Sequence, residues 1–189
     1  MRAHRGRRQA GFSLIEALVI LVLVGTLTAY ALPRLRDTES TRVRRAAQQL
    51  VRDLETVRSR VLATRSAGRV VFTPGLRSYT AYLDDDRDGL IGQTAGETDS
   101  LRSFRTRTLE SGIQFGRTGA PDVPGFAGPG AITLPGARLD FNTRGIPAPL
   151  GTSGAIYLSS ASDPNAVAAV TVTGAAGIRA WVLLGGVWQ

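Results

Sequence analysis

The sequence contains no cysteine, no lysine, one histidine and one methionine in 189 residues. Without Cys there are no disulfides and no thiolate metal sites, and a lone His4 cannot assemble a His/Cys ligand cluster. Without Lys there is no G-x-x-x-x-G-K phosphate loop, and no G-x-S-x-G nucleophile elbow occurs either. No Ser has a plausible base in the sequence, so nucleophilic catalysis finds no support and the chain is expected not to be an enzyme. Aromatics are sparse, at 6%. Acid is also missing where it would matter most: residues 1–10, MRAHRGRRQA, carry Arg2, Arg5, Arg7 and Arg8 with no Asp or Glu.

All 23 basic residues are Arg, which gives a formal net charge of +8. Outside the first ten residues, 19 Arg face 15 Asp and Glu, leaving +4, so the basic pI is weaker evidence for a nucleic-acid partner than it looks. The length suits one globular domain with an N-terminal appendage. Most of the 22 Gly and 9 Pro come after residue 67, which predicts a turn-rich second half.

From Phe12 to Leu32 the chain reads FSLIEALVILVLVGTLTAYAL. As a helix, 21 residues extend about 31 Å, enough to cross a hydrocarbon core of about 30 Å. The preceding arginines predict that the N-terminus stays in the cytoplasm. A secretory signal would have a shorter apolar core followed by small residues at a cleavage site; here the polar break precedes the apolar run. One residue is out of place. Glu16 puts a carboxylate inside the run at a cost of about 2.5–3.5 kcal/mol, so it needs a partner or a place near the interface. An α-amino group released by a cut between Gly11 and Phe12 would be such a partner. Pro33 removes a backbone donor and clashes one turn back, which predicts a bend or local melting near Ala29.

The hexapeptide Gly11–Glu16, G-F-S-L-I-E, with a basic leader before it and an apolar run after it, resembles the cleavage signal of type IV prepilins and type II secretion pseudopilins. The resemblance implies that Gly11 is the last leader residue and that a prepilin peptidase cuts before Phe12. It also implies that Phe12 becomes the N-methylated N-terminus, that Glu16 aligns incoming subunits, and that Pro33 kinks the helix. The partners so implied are the peptidase, the inner membrane and other pilin or pseudopilin subunits. The chain would be a single-pass protein with an extracytoplasmic C-terminal domain, later part of a pilus or pseudopilus.

Past Pro33, apolar residues fall at Val43, Ala47, Leu50, Leu54, Val57 and Val61, the spacing of one helical face. The opposite face is expected to carry Arg42, Arg44, Arg45, Arg52, Arg58 and Arg60 with Asp53 and Glu55, and Gly68 to stop the helix. That face reads as solvated or filament-facing rather than as a surface for DNA or lipid. The first helix is then about fifty residues long, half of it apolar and half amphipathic. From Arg69 the period changes to two, predicting strands at residues 69–73, 79–83, 101–109, 138–141, 155–158, 167–173 and 178–184. Residues 116–136 read as a long loop. The expected fold is α+β: a long N-terminal helix, transmembrane in its first half and amphipathic in its second, packed on an antiparallel β-sandwich. The expected divisions are a leader (1–11), a membrane or filament-core helix (12–33), an amphipathic half (34–66) and a β-rich domain (67–189).

Asp84, Asp86, Asp88 and Gly89 read D-x-D-x-D-G, the opening of a calcium loop. Position 95, where a bidentate Glu should close it, is Ala, and Glu97 falls two residues late. A plain acidic turn, with Asx side chains satisfying local backbone, is the favoured reading, so no cofactor is expected and calcium is the one candidate. For DNA, Arg105 and Arg107 would share a face of one strand, and Arg179 lies near the C-terminus. Ordinary surface arginines in a chain without Lys are the favoured alternative.

Three further segments, YLDDDRDG, LDFNTRGIPAPLGTSGAIYLSS and VAAVTVTGAAGIRAWV, resemble the GspH/FimT-type group of minor pseudopilins and minor pilins. Phe141, Asn142 and Gly145 match its F-N-x-x-G phrase. The resemblance implies a structural subunit that primes or caps a pilus or pseudopilus. Its alternative is a DNA-binding minor pilin of a transformation pilus, whose Gly-Arg-x-Arg motif is met here only by Gly177-Ile178-Arg179-Ala180.

Overall fold

The computed structural model describes residues 14–35, 38–91 and 106–189, with the backbone alone over residues 28–35. Two compact units divide the chain, Met1–Asp37 and Thr38–Gln189.

The described part of the first unit is one helix, α1, Leu14–Leu35. Its backbone stays helical past Ala29 and through Pro33. The local melting expected near Ala29 is therefore absent from the described backbone. The side chains from Leu14 to Leu27 are exposed on every side; even Ile20 keeps 46% of its surface.

The second unit opens with α2, Glu39–Thr64. A single helix of about fifty residues does not form. Thr38 has extended backbone angles (φ −71°, ψ 147°), and its hydroxyl accepts from the Thr41 amide at 3.3 Å as an N-cap. The N-terminal amides otherwise lack partners, so a capping hydroxyl with Glu39 in the first turn makes this a natural helix start. The helix ends at Thr64, with Arg65 in the left-handed region (φ 52°). Gly68 is not the stop; it is the first residue of the next strand. A Cβ there would lie 2.5 Å from Val61 Cγ2, so its lack of a side chain lets strand and helix approach.

The rest of the unit is antiparallel. Strands β1 (Gly68–Thr73), β2 (Ser78–Leu83), β3 (Arg107–Thr108), β5 (Arg138–Phe141) and β6 (Pro147–Ala148) form one sheet in the order β3-β2-β1-β5-β6. Strands β4 (Ile113–Phe115), β7 (Gly154–Ser160), β8 (Val167–Val172), β9 (Ile178–Leu184) and β10 (Val187–Trp188) form a second, in the order β10-β9-β8-β7-β4. Six of the seven expected strands are found within two residues of their expected ends. The 101–109 strand is reduced to β3, because residues 92–105 lie outside the described residues and Leu109 is not in a strand.

The six predicted apolar residues of α2 are buried to 1% exposure or less. They share one core with Val70, Phe72 and Phe141 of the first sheet and Ile113, Ile156, Leu158 and Val170 of the second. Burying each Val or Leu contributes about 1.5–3 kcal/mol, so the helix is held by this face far more than by its own propensity. Between the strands, Arg69 clamps Asp140 on the partner strand with Nε–Oδ1 at 2.7 Å and Nη2–Oδ2 at 3.0 Å. Residues 116–134 form no strand, yet this loop is packed. Val123 and Phe126 cover Tyr157 and Ala169 on the second sheet, and the Val123 amide donates to the Tyr157 hydroxyl at 3.0 Å.

Candidate functional site

Gly11 and Phe12 lie outside the described residues. Glu16 sits in the first turn of α1 and is exposed. Around it, Leu14, Ile15, Leu18 and Val19 are each at least half exposed. A helix that is apolar all round has no solvated face, so water is not its resting place. Among the described residues no helix is long and apolar enough to cross a membrane; the 12–32 run extends beyond them at its start.

The acidic turn follows β2. Asp84 is buried, Asp86 and Asp88 are exposed, and one carboxylate oxygen of each lies within 4.8 Å of the others. Two of the three already serve the turn. Asp86 Oδ1 accepts from the Asp88 amide at 3.2 Å, and Asp88 Oδ1 from the Leu90 amide at 2.7 Å. These are the Asx bonds of a plain turn. Arg87, at φ 63°, donates back to the Thr64 carbonyl at the end of α2. Ala95 and Glu97 lie outside the described residues.

The two DNA-candidate arginines among the described residues lie in different sheets. Arg105 lies outside the described residues, Arg107 is in β3 of the first sheet, and Arg179 is in β9 of the second. Arg107 leans on Asp53, Nε–Oδ2 3.6 Å, and Arg179 lies over the Trp181 ring at 5.4 Å.

Asp53 is a correction to the sequence reading, which set it on the outward face of the helix. It is 5% exposed, beside Leu54 on the core side. Its Oδ2 accepts from the Tyr79 hydroxyl at 2.6 Å and its Oδ1 from Gln49 Nε2 at 2.9 Å; Gln49 Oε1 accepts from Arg52 at 2.8 Å. Burial first, and then the bond to the Asp53 carboxylate, push the Tyr79 phenol well above its ordinary range. This network ties α2 to β2. Beside it a groove of about 390 Å³ is lined by Arg45, Arg52 and Arg107 with Glu110, over Ala46, Tyr79 and Leu109.

Arg58 is likewise drawn inward. Its Nε donates to the Gly145 carbonyl and its Nη1 to the Ala176 carbonyl, both at 3.1 Å. Here the F-N-x-x-G phrase has a physical meaning. Asn142 Oδ1 accepts from the Arg144 and Ile146 amides, and Gly145 turns with φ 67° against Leu62 of α2. At the other end of α2, Glu39 accepts from Ser160 and from Arg42, and those two bonds, Ser160 first, hold its carboxyl below the usual range.

Residues 6–32 match the prokaryotic N-terminal methylation motif. No curated protein matches the chain significantly. Among solved structures, the chain is similar to the minor pseudopilin EpsH from the type 2 secretion system of Vibrio cholerae. Identity is 15%, coverage is 74% of this chain and 96% of that one, and the TM-score is 0.47. It is also similar to the type IV minor pilin FimU of Pseudomonas aeruginosa strain PAO1, at 12% identity, 78% and 92% coverage and a TM-score of 0.49.

Proposed function

We propose that this chain is the precursor of a minor pilin or pseudopilin, a structural subunit that primes or caps a type IV pilus or a type II secretion pseudopilus. The observation that carries the reading is the match of residues 6–32 to the N-terminal methylation motif, which covers Gly11, Phe12 and Glu16. The all-round exposure of apolar side chains on α1 supports it, because such a helix needs lipid or neighbouring subunits as its surroundings. The residues 12–32 cross the inner membrane with the arginine-rich end in the cytoplasm, and residues 38–189 fold on the far side. A prepilin peptidase cuts after Gly11, and Phe12 is methylated. On extraction into the filament, the Glu16 carboxylate pairs with the N-terminal amine of a neighbouring subunit. That pairing offsets the cost of holding an acid in an apolar core. The placement in the minor branch rests on the F-N-x-x-G turn and the closing strands quoted above.

The reading is tested in the native host. Gly11→Trp leaves a full-length, membrane-held precursor; a mature chain of normal length from that variant contradicts the cleavage site. Glu16→Ala is cut and inserted but absent from purified filaments; its normal recovery in filaments contradicts the alignment role.

A further inference from the structure

The outward face of α2 has a composition that the fold does not explain. Arg44, Arg45, Arg52 and Arg60 are all exposed. At 100° per residue they fall within an arc of about 160°, opposite the buried stripe, and they extend over about 24 Å of helix. One acid shares this face, Glu55, 3.6 Å from Arg58. The second observation is the groove beside it. Arg45 and Arg52 converge there with Arg107 from β3 over a floor of Ala46, Tyr79 and Leu109, with Glu110 on the rim. Arg107 is held by Asp53 and Arg52 by Gln49, so these guanidiniums are positioned by the buried network rather than left to wander. Planar guanidiniums above an apolar floor suit a phosphate ester carried on an apolar body.

The third observation is where the stripe falls in the chain. Arg44 comes nine residues after the last residue of α1. A helix apolar all round is thus followed at once in the sequence by a cationic one, so a chain anchored by α1 carries the stripe close to a bilayer surface.

We propose that the arginine stripe of α2, with the groove formed by Arg45, Arg52 and Arg107, is a docking surface for anionic phospholipid headgroups. It holds the folded unit against the membrane before the subunit enters a filament. The inference deepens the membrane-anchored reading above and rests on it for its biological setting.

The test uses residues 38–189, which contain the whole described core and lack α1. Binding is measured by flotation with vesicles of phosphatidylcholine alone and of phosphatidylcholine with phosphatidylglycerol. The expected result is flotation with the anionic vesicles only, lost in high salt because exposed charges are screened. Arg44→Gln/Arg45→Gln/Arg52→Gln should weaken partition by about fivefold per arginine, on the order of a hundredfold together. Arg138→Gln/Arg144→Gln, away from the stripe, should leave it unchanged. An unaltered thermal melt of the triple variant guards against loss of fold. No flotation at low salt, or equal loss with the control pair, overturns the proposal. So does displacement from the vesicles by duplex DNA at equal charge, which would assign the face to nucleic acid. Because α1 is absent, this outcome is independent of whether residues 12–32 span a membrane or are cut at Gly11.

Discussion

The two helices are of similar length, 22 and 26 residues, and they live in opposite surroundings. In α2 the apolar residues occupy one stripe and are sealed to 1% exposure or less by two sheets. In α1 they cover the whole circumference, and all those described are exposed. Amphipathic patterning is a demand that the chain's own fold can meet; all-round apolarity is a demand on something outside the chain. The same difference sets the place of each acid. Asp53 is buried and answered by Tyr79 and Gln49, whereas Glu16 is answered by nothing in its own unit among the described residues.

The comparison breaks most sharply by cavity creation. Leu54→Ala should cost residues 38–189 about 2–5 kcal/mol in urea unfolding, because the void sits between helix and sheets. In the full chain in detergent, Leu21→Ala should leave that unfolding midpoint unmoved; a comparable drop would mean that α1 is part of the core.

Tyr79→Phe sharpens the contrast between the two acids. Losing a buried hydrogen bond to a carboxylate should cost about 1.5–3 kcal/mol. The pH sign also follows. The folded Tyr79 pKa lies above its unfolded value of 10, so the stabilisation is complete below pH 10 and is lost as pH rises further. The variant's alkaline limb should therefore be flatter than that of the parent when stability is followed by denaturant titration.

Gly145→Ala tests the turn that Arg58 holds. At φ 67° an added Cβ would lie 3.0 Å from Leu62 Cγ, and the left-handed conformation alone costs about 1–2 kcal/mol. The same substitution at Gly25, where nothing lies within 4 Å, should not lower the stability of residues 38–189 in the full chain.

The smallest effect is expected at the start of α2. Glu39 has its folded pKa lowered, chiefly by the Ser160 hydroxyl, so its contribution is present above the unfolded pKa and fades as pH falls through the folded one. Glu39→Gln should lower stability slightly at neutral pH and flatten the acid limb, so that the variant and parent curves converge as pH falls through the folded carboxylate pKa.

The parts of this fold that could be read from sequence are those where one physical rule acts alone. The 3–4 spacing of Val43 to Val61 has no competing explanation, and all six residues are buried. The strands at 138–141 and 178–184 are bounded by Gly, Pro and Asn, and their ends match. Strands β4, β6 and β10 were missed because two or three residues are too few to show alternation. The break at Thr38 has a signal in the capping residues Thr38 and Glu39, but Pro33 just before it already accounts for a change of character in the sequence. Asp53 reads as exposed because a charged side chain is usually solvated; only the fold brings Tyr79 from β2 to satisfy it. Arg58 misled in the same way, since its carbonyl partners Gly145 and Ala176 lie far along the chain. At the N-terminus the position is reversed: the motif is legible in the sequence, while Gly11 and Phe12 lie outside the described residues.

The contrast between the helices turns on what α1 becomes after synthesis, and the mass of the native N-terminus tests that most directly. Protein isolated from the host membrane and digested should yield an N-terminal peptide that begins at N-methylated Phe12, with Glu16 as its fifth residue. A peptide beginning at Met1, or an unmodified start at any other position, would contradict the account.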